Sequence, residues 1–203
     1  MKKSFSLLEL IFIILIVSIV ASQSNIRNNL SKLQLAKQQL LLHLKYTRYI
    51  AMLDDKYDSK DFLWHKQRWT LKFLNCQQSI GGLYYVIYSD TDKNGAIKKE
   101  ESLVDPLNGN HIYSFQCTED KLYDKSKFVL LTKKYDIQNV VLSCNSTSTI
   151  GQISFGHDGN VYSRLGNNEE DYKIISPCIL QLTDKYNQTE EIIIHPNTGY
   201  IEG

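Results

Sequence analysis

The chain has 203 residues, of which 42% are hydrophobic and 22% charged, enough for one core-forming domain with a long helix beside it. Its 23 basic and 22 acidic residues leave a formal charge of +1, without the basic excess that marks a nucleic-acid binder. The four cysteines, Cys76, Cys117, Cys144 and Cys178, form no Cys-x-x-Cys and have no histidine at zinc-finger spacing, which argues against a cysteine-held metal cluster.

The chain opens on an apolar run. Lys2 and Lys3 precede Ser4-Phe-Ser-Leu-Leu-Glu-Leu-Ile-Phe-Ile-Ile-Leu-Ile-Val-Ser-Ile-Val-Ala21, which a single carboxylate, Glu9, interrupts. A charge inside an apolar helix costs on the order of 2.5–3.5 kcal/mol at mid-membrane. A helix that carries one is expected to find it a partner, which points to assembly. Basic residues, an apolar core and Val20-Ala21-Ser22 also fit a secretory signal peptide, but Glu9 inside the core speaks against it. A plain membrane anchor needs about twenty apolar residues, and this run is short for one.

Between Phe5 and Asp54 there is neither proline nor glycine. Leu30, Leu33, Leu40, Leu44 and Ala51 recur at helical spacing, with Ala36 and Thr47 near the same face and Lys32, Lys37, Gln38, Lys45 and Arg48 largely elsewhere. The pattern predicts one helix of about fifty residues, about 75 Å long. Its first half is apolar all round, suited to lipid or to a bundle of like helices. Its second half lays one stripe against a globular head, with a soluble coiled coil as the rival reading.

The charged stretch Asp54 to Asp61 reads as the helix exit. Short strand-forming runs follow: Arg68 to Leu74, with Trp69, Leu71 and Phe73 on one face, then Leu83 to Tyr88, His111 to Cys117, Phe128 to Leu131, Val140 to Cys144, Ile153 to Phe155, Cys178 to Thr183 and Glu191 to His195. Turn signals separate them at Asp105-Pro-Leu-Asn-Gly, His157-Asp-Gly-Asn and Pro196-Asn-Thr-Gly. The expected fold class is α+β: a long N-terminal helix, transmembrane in its first half and amphipathic in its second, packed on an antiparallel β-sheet head. Four cysteines allow three pairings. The sequence does not choose among them; Cys144 with Cys178 is the pairing carried forward, and free buried thiols are the alternative.

One stretch carries chemistry. Asp90-Thr-Asp-Lys-Asn-Gly-Ala-Ile-Lys-Lys-Glu-Glu101 places side-chain oxygens of Asp90, Asp92, Asn94 and Glu101 in the order of an EF-hand calcium loop, with Gly95 at its sharp turn and the Ala96 carbonyl as a further ligand. A hard cation seeks six to eight oxygens, and alternate residues of a tight loop point inward to supply them. A structural calcium ion is the cofactor this pattern implies. A solvated hairpin turn on Asn94-Gly95 is the alternative. The five histidines are scattered, and no Gly-x-Ser-x-Gly, phosphate loop or His-Glu-x-x-His is present, so no enzymatic activity is expected. The clearest basic cluster, Lys121, Lys125, Lys127, Lys133 and Lys134, has acids interleaved and reads as a solvated face.

The N-terminal stretch resembles that of type IV prepilins and type II secretion pseudopilins. In that family a prepilin peptidase removes a short basic leader ending in a small residue, usually Gly, before a Phe or Met, and a Glu occupies the fifth mature position. Lys2-Lys3-Ser4 stands where the leader does, Phe5 where the new first residue does and Glu9 at the fifth place, with Ser4 instead of Gly. The resemblance implies cleavage between Ser4 and Phe5, methylation of the Phe5 amine, and an assembly role for Glu9, paired with the amine of a neighbouring Phe5. Losing Lys2 and Lys3 would bring the formal charge from +1 to −1.

Four further segments resemble H-type minor pseudopilins and FimT-like pilins. In Leu44-Lys-Tyr-Thr-Arg-Tyr-Ile-Ala-Met, Arg48 and Ala51 match an Ala-Arg-x-x-Ala pattern, with Thr47 replacing the first Ala. The loop from Asp90 is similar to that family's hydrophobic-Asp-x-Asn-x-Asn-Gly hairpin. Ile153-Ser-Phe-Gly-His-Asp-Gly-Asn-Val and the closing Ile192-Ile-Ile-His-Pro-Asn-Thr-Gly-Tyr-Ile are similar to its last strands.

The implied organisation is a leader over residues 1–4, a transmembrane and assembly half over 5–24, an amphipathic half over 25–55 and a periplasmic head over 56–203. The implied location is the bacterial inner membrane, crossed once, with incorporation into a pseudopilus. The implied function is that of a minor pseudopilin, a structural subunit of a type II secretion pseudopilus that meets other pseudopilins or pilins through its N-terminal helix. The alternative is a component of a type IV pilus or competence pseudopilus for DNA uptake; a membrane-anchored binding module that never assembles is the third reading. Some FimT-like pilins are implicated in DNA binding through basic residues near the C-terminus. Gly199-Tyr-Ile-Glu-Gly203 has no arginine, so direct contact with nucleic acid is not favoured.

Overall fold

The computed structural model describes residues 7–77, 81–114 and 125–203, and over residues 21–31 the backbone alone. Ser4 and Phe5, the expected cleavage and methylation positions, lie outside the described residues, as do Cys117 and Lys121.

The first element, α1 (Leu7–Leu53), runs for 47 residues, about 70 Å at 1.5 Å per residue. Nothing inside it breaks a helix. Its end follows from the charged stretch: the side chains of Asp55, Asp58 and Asp61 accept the backbone N–H groups of Tyr57, Lys60 and Leu63. Such local aspartate turns compete with helical hydrogen bonds. Along the second part of α1, Leu33, Ala36, Leu40, Leu44, Thr47 and Ala51 are buried, one stripe at spacings of three and four. Fully burying a leucine contributes about 1.5–3 kcal/mol, so Leu40 and Leu44 are principal anchors of the helix.

The head consists of two antiparallel four-stranded sheets. One contains β1 (Trp69–Asn75), β2 (Leu83–Tyr88), β4 (Gln152–Phe155) and β5 (Val161–Tyr162) in the order β2-β1-β4-β5. The other contains β3 (Ile137–Leu142), β6 (Cys178–Asp184), β7 (Thr189–Ile194) and β8 (Ile201–Glu202) in the order β3-β6-β7-β8. The α1 stripe touches β1 and β4 of the first sheet and β6, β7 and β8 of the second, so one helix face closes the core of both. Arg48 adds a polar tie, its Nε donating to the Thr198 carbonyl at 2.8 Å. Cys144 and Cys178 form a disulfide with Cα atoms 5.2 Å apart, fastening the turn after β3 to the start of β6. Cys76 is disulfide-bonded as well.

The expected fold class does not stand. The head is α+β with antiparallel sheets, but the transmembrane half is overturned: among the described residues no helix is long and apolar enough to cross a membrane. The described apolar stretch, residues 7–20, rises about 21 Å against a hydrocarbon core of about 30 Å. Beyond it the sequence turns polar at Ser22-Gln-Ser-Asn-Ile-Arg27. A single-pass location in the inner membrane with a periplasmic head is therefore not supported.

Locally, Phe128 to Leu131 reads as a strand but is helical. A 3-10 turn (Lys127–Val129) leads into α2 (Leu131–Tyr135). The Ser126 side chain accepts the Phe128 N–H at 3.4 Å. Asp136 ends α2 in the left-handed region (φ 60°), where its N–H donates to the Leu131 and Thr132 carbonyls. These caps outweigh the strand propensity of Phe, Val and Leu. The two-residue strands β5 and β8 are too short for any periodicity to announce them.

A polar lock sits inside the apolar stripe. His43, Tyr85 and Asp105 have no exposed surface. His43 Nδ1 lies 2.7 Å from the Tyr85 hydroxyl, and its Nε2 lies 2.8 Å from Gln39 Nε2 and 3.5 Å from Asp105 Oδ2. Asp105 also accepts from the Ser126 hydroxyl at 2.8 Å and the Leu107 N–H at 2.9 Å. Burial pushes the Asp105 carboxyl up, but the hydrogen bonds from His43, Leu107 and Ser126 and the charge of the imidazole together hold it below its ordinary value of 3.8. Burial likewise drives the Tyr85 phenol well above its ordinary range, so it remains a neutral partner for His43.

A carboxyl lowered by folding contributes stability above its unfolded pKa and loses it as the pH falls through the folded one. The head is therefore expected to weaken as the pH drops below about 4. Asp105→Asn should cost about 1–3 kcal/mol at neutral pH, because an amide cannot accept all the donors that meet the buried carboxylate, and should flatten that acid limb. Urea unfolding of both proteins at neutral and acid pH measures this. Parallel pH profiles would show that Asp105 does not carry the effect.

Candidate functional site

The acidic loop grows out of β2. The Ser89 N–H donates to the Glu101 carbonyl at 3.0 Å, the Leu103 N–H donates to the Ile87 carbonyl at 2.8 Å, and Tyr88 and Ser102 form an antiparallel bridge. Residues 90–101 are thus a loop closed between paired extended arms, not the helix-flanked loop of an EF-hand. Gly95 adopts φ 77° and Lys93 φ 57°. The first is the sharp turn for which the sequence supplies glycine.

Carboxylate oxygens of Asp90, Asp92 and Glu101 lie within 4.8 Å of one another. Asp90 is buried and accepts the N–H groups of Gly95 at 2.8 Å and Asn94 at 3.2 Å. Glu101 Oε1 accepts the Thr91 N–H at 3.0 Å and the Thr91 hydroxyl at 2.6 Å. Glu101 Oε2 is buried without a hydrogen-bond partner. Lys98 pairs with Asp92, and Lys93 reaches out of the loop to Asp61.

Burial pushes the Asp90 carboxyl up. Contact with Asp92 and the charge of Glu101 add to this, against the N–H donors of Gly95 and Asn94. Asp92 moves down, chiefly through its hydrogen bond from Lys98. Crowded carboxylates with one buried and one orphaned oxygen are relieved by a cation.

The donor set fits a hard divalent ion. Asp90, Asp92 and Glu101 would hold it, and its charge would serve to brace the loop rather than to activate a substrate. The Asn94 side chain donates to Asp92 at 2.9 Å and accepts the Ala96 N–H at 2.7 Å, so both residues brace the loop.

The remaining expected positions are dispersed. Glu9 lies on the exposed first part of α1, and the Cys144–Cys178 disulfide belongs to the second sheet. Of the described lysines in the expected basic cluster, Lys134 sits over the Phe128 ring at 3.5 Å and Lys125 over Tyr113 at 5.4 Å.

Two constellations escaped the sequence. The His43 lock had a signal: a histidine in phase with Leu40, Leu44 and Thr47 on an otherwise apolar stripe. Arg68 had none. It is buried, its guanidinium lies 3.8 Å from the Tyr162 ring, and its Nη1 donates to the Glu169 carbonyl at 2.7 Å. These partners are far away in sequence.

No protein-family model, no curated protein and no solved structure matches this chain.

Calcium added to chelator-treated protein is expected to raise its melting temperature. At a hundredfold excess over the dissociation constant the gain is about 2.7 kcal/mol. Glu101→Gln should abolish the rise while leaving the chelated protein folded. Equal melting with calcium and with chelator would exclude a structural cation.

Proposed function

We propose that the chain is a minor pseudopilin: a structural, non-catalytic subunit of a type II secretion pseudopilus, built into its filament through the first part of α1. The observation that carries this reading is the contrast along one helix. From Leu33 onward a stripe of α1 is buried in the head, whereas Leu7, Leu8, Leu10 to Val17, Ile19 and Val20 are all at least 47% exposed. An all-round apolar rod of this kind calls for cover. Like helices packed side by side provide it and leave the head on the outside of the assembly.

Glu9 gives such a bundle its register. A carboxylate enclosed by neighbouring helices is costly unless a positive group meets it, and the amine of a neighbouring chain's processed N-terminus at Phe5 would be that group. The proposed cation at Asp90, Asp92 and Glu101 stabilises the head and takes no part in assembly.

Glu9→Leu is expected to leave the head folded, with unchanged circular dichroism and melting, and to abolish filament incorporation as read by cysteine crosslinking and sedimentation. Normal incorporation would overturn the assembly role. Deletion of the gene in its host, with complementation, then tests the machine. Loss of secreted proteins with unchanged transformation supports a secretion pseudopilus, and loss of transformation alone replaces it with a DNA-uptake pseudopilus.

A further inference from the structure

A cleft on the outer side of the first sheet gathers four cations, Lys66, Lys72, Lys93 and Arg164, against one carboxylate in its lining, Asp90. On its floor Lys72 of β1 and Gln152 of β4 are cross-strand partners. The acidic loop forms one wall through Asp90, Lys93 and Asn94, the segment 146–149 with Arg164 forms another, and Lys66 comes from the 3-10 turn before β1. The cavity measures about 600 Å³, within the range of small-ligand pockets. Lys93 is paired with Asp61. Among the described residues Lys66, Lys72 and Arg164 have no ion-pair partner.

The hydroxyl-bearing wall is built in advance. Asn145 Oδ1 accepts the Thr147 N–H at 2.9 Å and the Thr147 hydroxyl at 2.8 Å, and Asn145 Nδ2 donates to the Thr149 carbonyl at 2.7 Å. The Cys144–Cys178 disulfide anchors the root of this turn. Ser146, Thr147, Ser148 and Thr149 line the cleft from this braced segment; the Ser146 hydroxyl is bonded to that of Ser163 and those of Thr147 and Thr149 to each other, so a ligand meets the Ser148 hydroxyl and the remaining lone pairs of the other three. Among the described residues Tyr88 is the aromatic residue in the lining, and it is buried. Among the described residues the lining offers no exposed ring on which a nucleobase would stack, the usual device for single-stranded nucleic acid.

We propose that this cleft binds a small saccharide bearing phosphate or sulfate groups, with Lys66, Lys72 and Arg164 holding the oxyanions and the hydroxyls of residues 146–149 bonding the sugar. Charge-assisted hydrogen bonds from lysine and arginine supply the affinity, and the hydroxyls and Gln152 supply selection for a polyol. The site is independent of helix assembly, so it stands or falls separately from the filament reading.

The test is calorimetric titration of the full chain, in chelator so that no cation at the acidic loop contributes. The probes are a trisulfated heparin disaccharide, glucose bisphosphate, lactose and a short DNA duplex. An acidic sugar is expected to bind, lactose is not, and the affinity should fall with salt. Lys72→Gln and Arg164→Gln should each weaken binding by about tenfold or more without changing the melting temperature, whereas Lys127→Gln, outside the cleft, should leave it unchanged. Ser148→Ala, which removes no charge, should weaken the sugars but not inorganic pyrophosphate. The proposal is overturned if neither acidic sugar binds, if the cleft substitutions leave binding intact, if lactose binds as well as the acidic sugars, or if the duplex binds more tightly and shows the same losses.

Discussion

The structure depends on one helix face lying across two sheets. Neither sheet closes its own core on that side. The stripe from Leu33 to Ala51 does so for both, and with it the helix becomes a structural part of the head. Apolar burial sets which face of the helix packs, but it is non-directional and would tolerate small slides along the axis. The buried His43 on α1, held by Tyr85 of β2 and close to Asp105, removes that freedom, because a shift would leave three polar groups unpaired in a dry interior. Arg48 repeats the device at the far end of the stripe by fastening α1 to the last turn of the chain.

The same helix divides the labour of the protein. Its second part is spent on the head, and its first part is left apolar and exposed, with Glu9 near the beginning. The head in turn uses its outer surface polarly. The acidic loop gathers three carboxylates, and beside it, with Asp90 shared between the two, the cleft gathers Lys66, Lys72 and Arg164. Opposite charge clusters so close together persist because each is organised by its own backbone donors and turn residues. The acidic loop is held by the N–H groups of Thr91, Asn94 and Gly95, and the hydroxyl wall is held by Asn145.

Corrections to the sequence reading have physical causes. The apolar start of α1 scores as a membrane segment by composition, yet the described run is shorter than a bilayer core and the chain turns polar after it. Phe128 to Leu131 has strand composition, but Ser126 and Asp136 cap it into helical turns. The EF-hand spacing from Asp90 to Glu101 brings the three carboxylates together, but two neighbouring arms in extended conformation replace the helices. Asn94 braces that loop, accepting the Ala96 N–H and donating to Asp92.

The amino-acid sequence by itself determined the helix, most strand positions, the turn glycines and the acidic loop. Each of these is set by local periodicity, local propensity or the spacing of neighbours along the chain. Only the tertiary structure decided that β1 and β2 belong to one sheet and β3 and β6 to another, that His43 meets Asp105, that Arg68 stacks on Tyr162, and that Lys66, Lys72 and Arg164 share one cleft. Apart from the β1–β2 pairing and the nearness of Lys66 to Lys72, these contacts join residues tens of positions apart. No local pattern records them, because their partners are chosen by how two sheets close over one helix face.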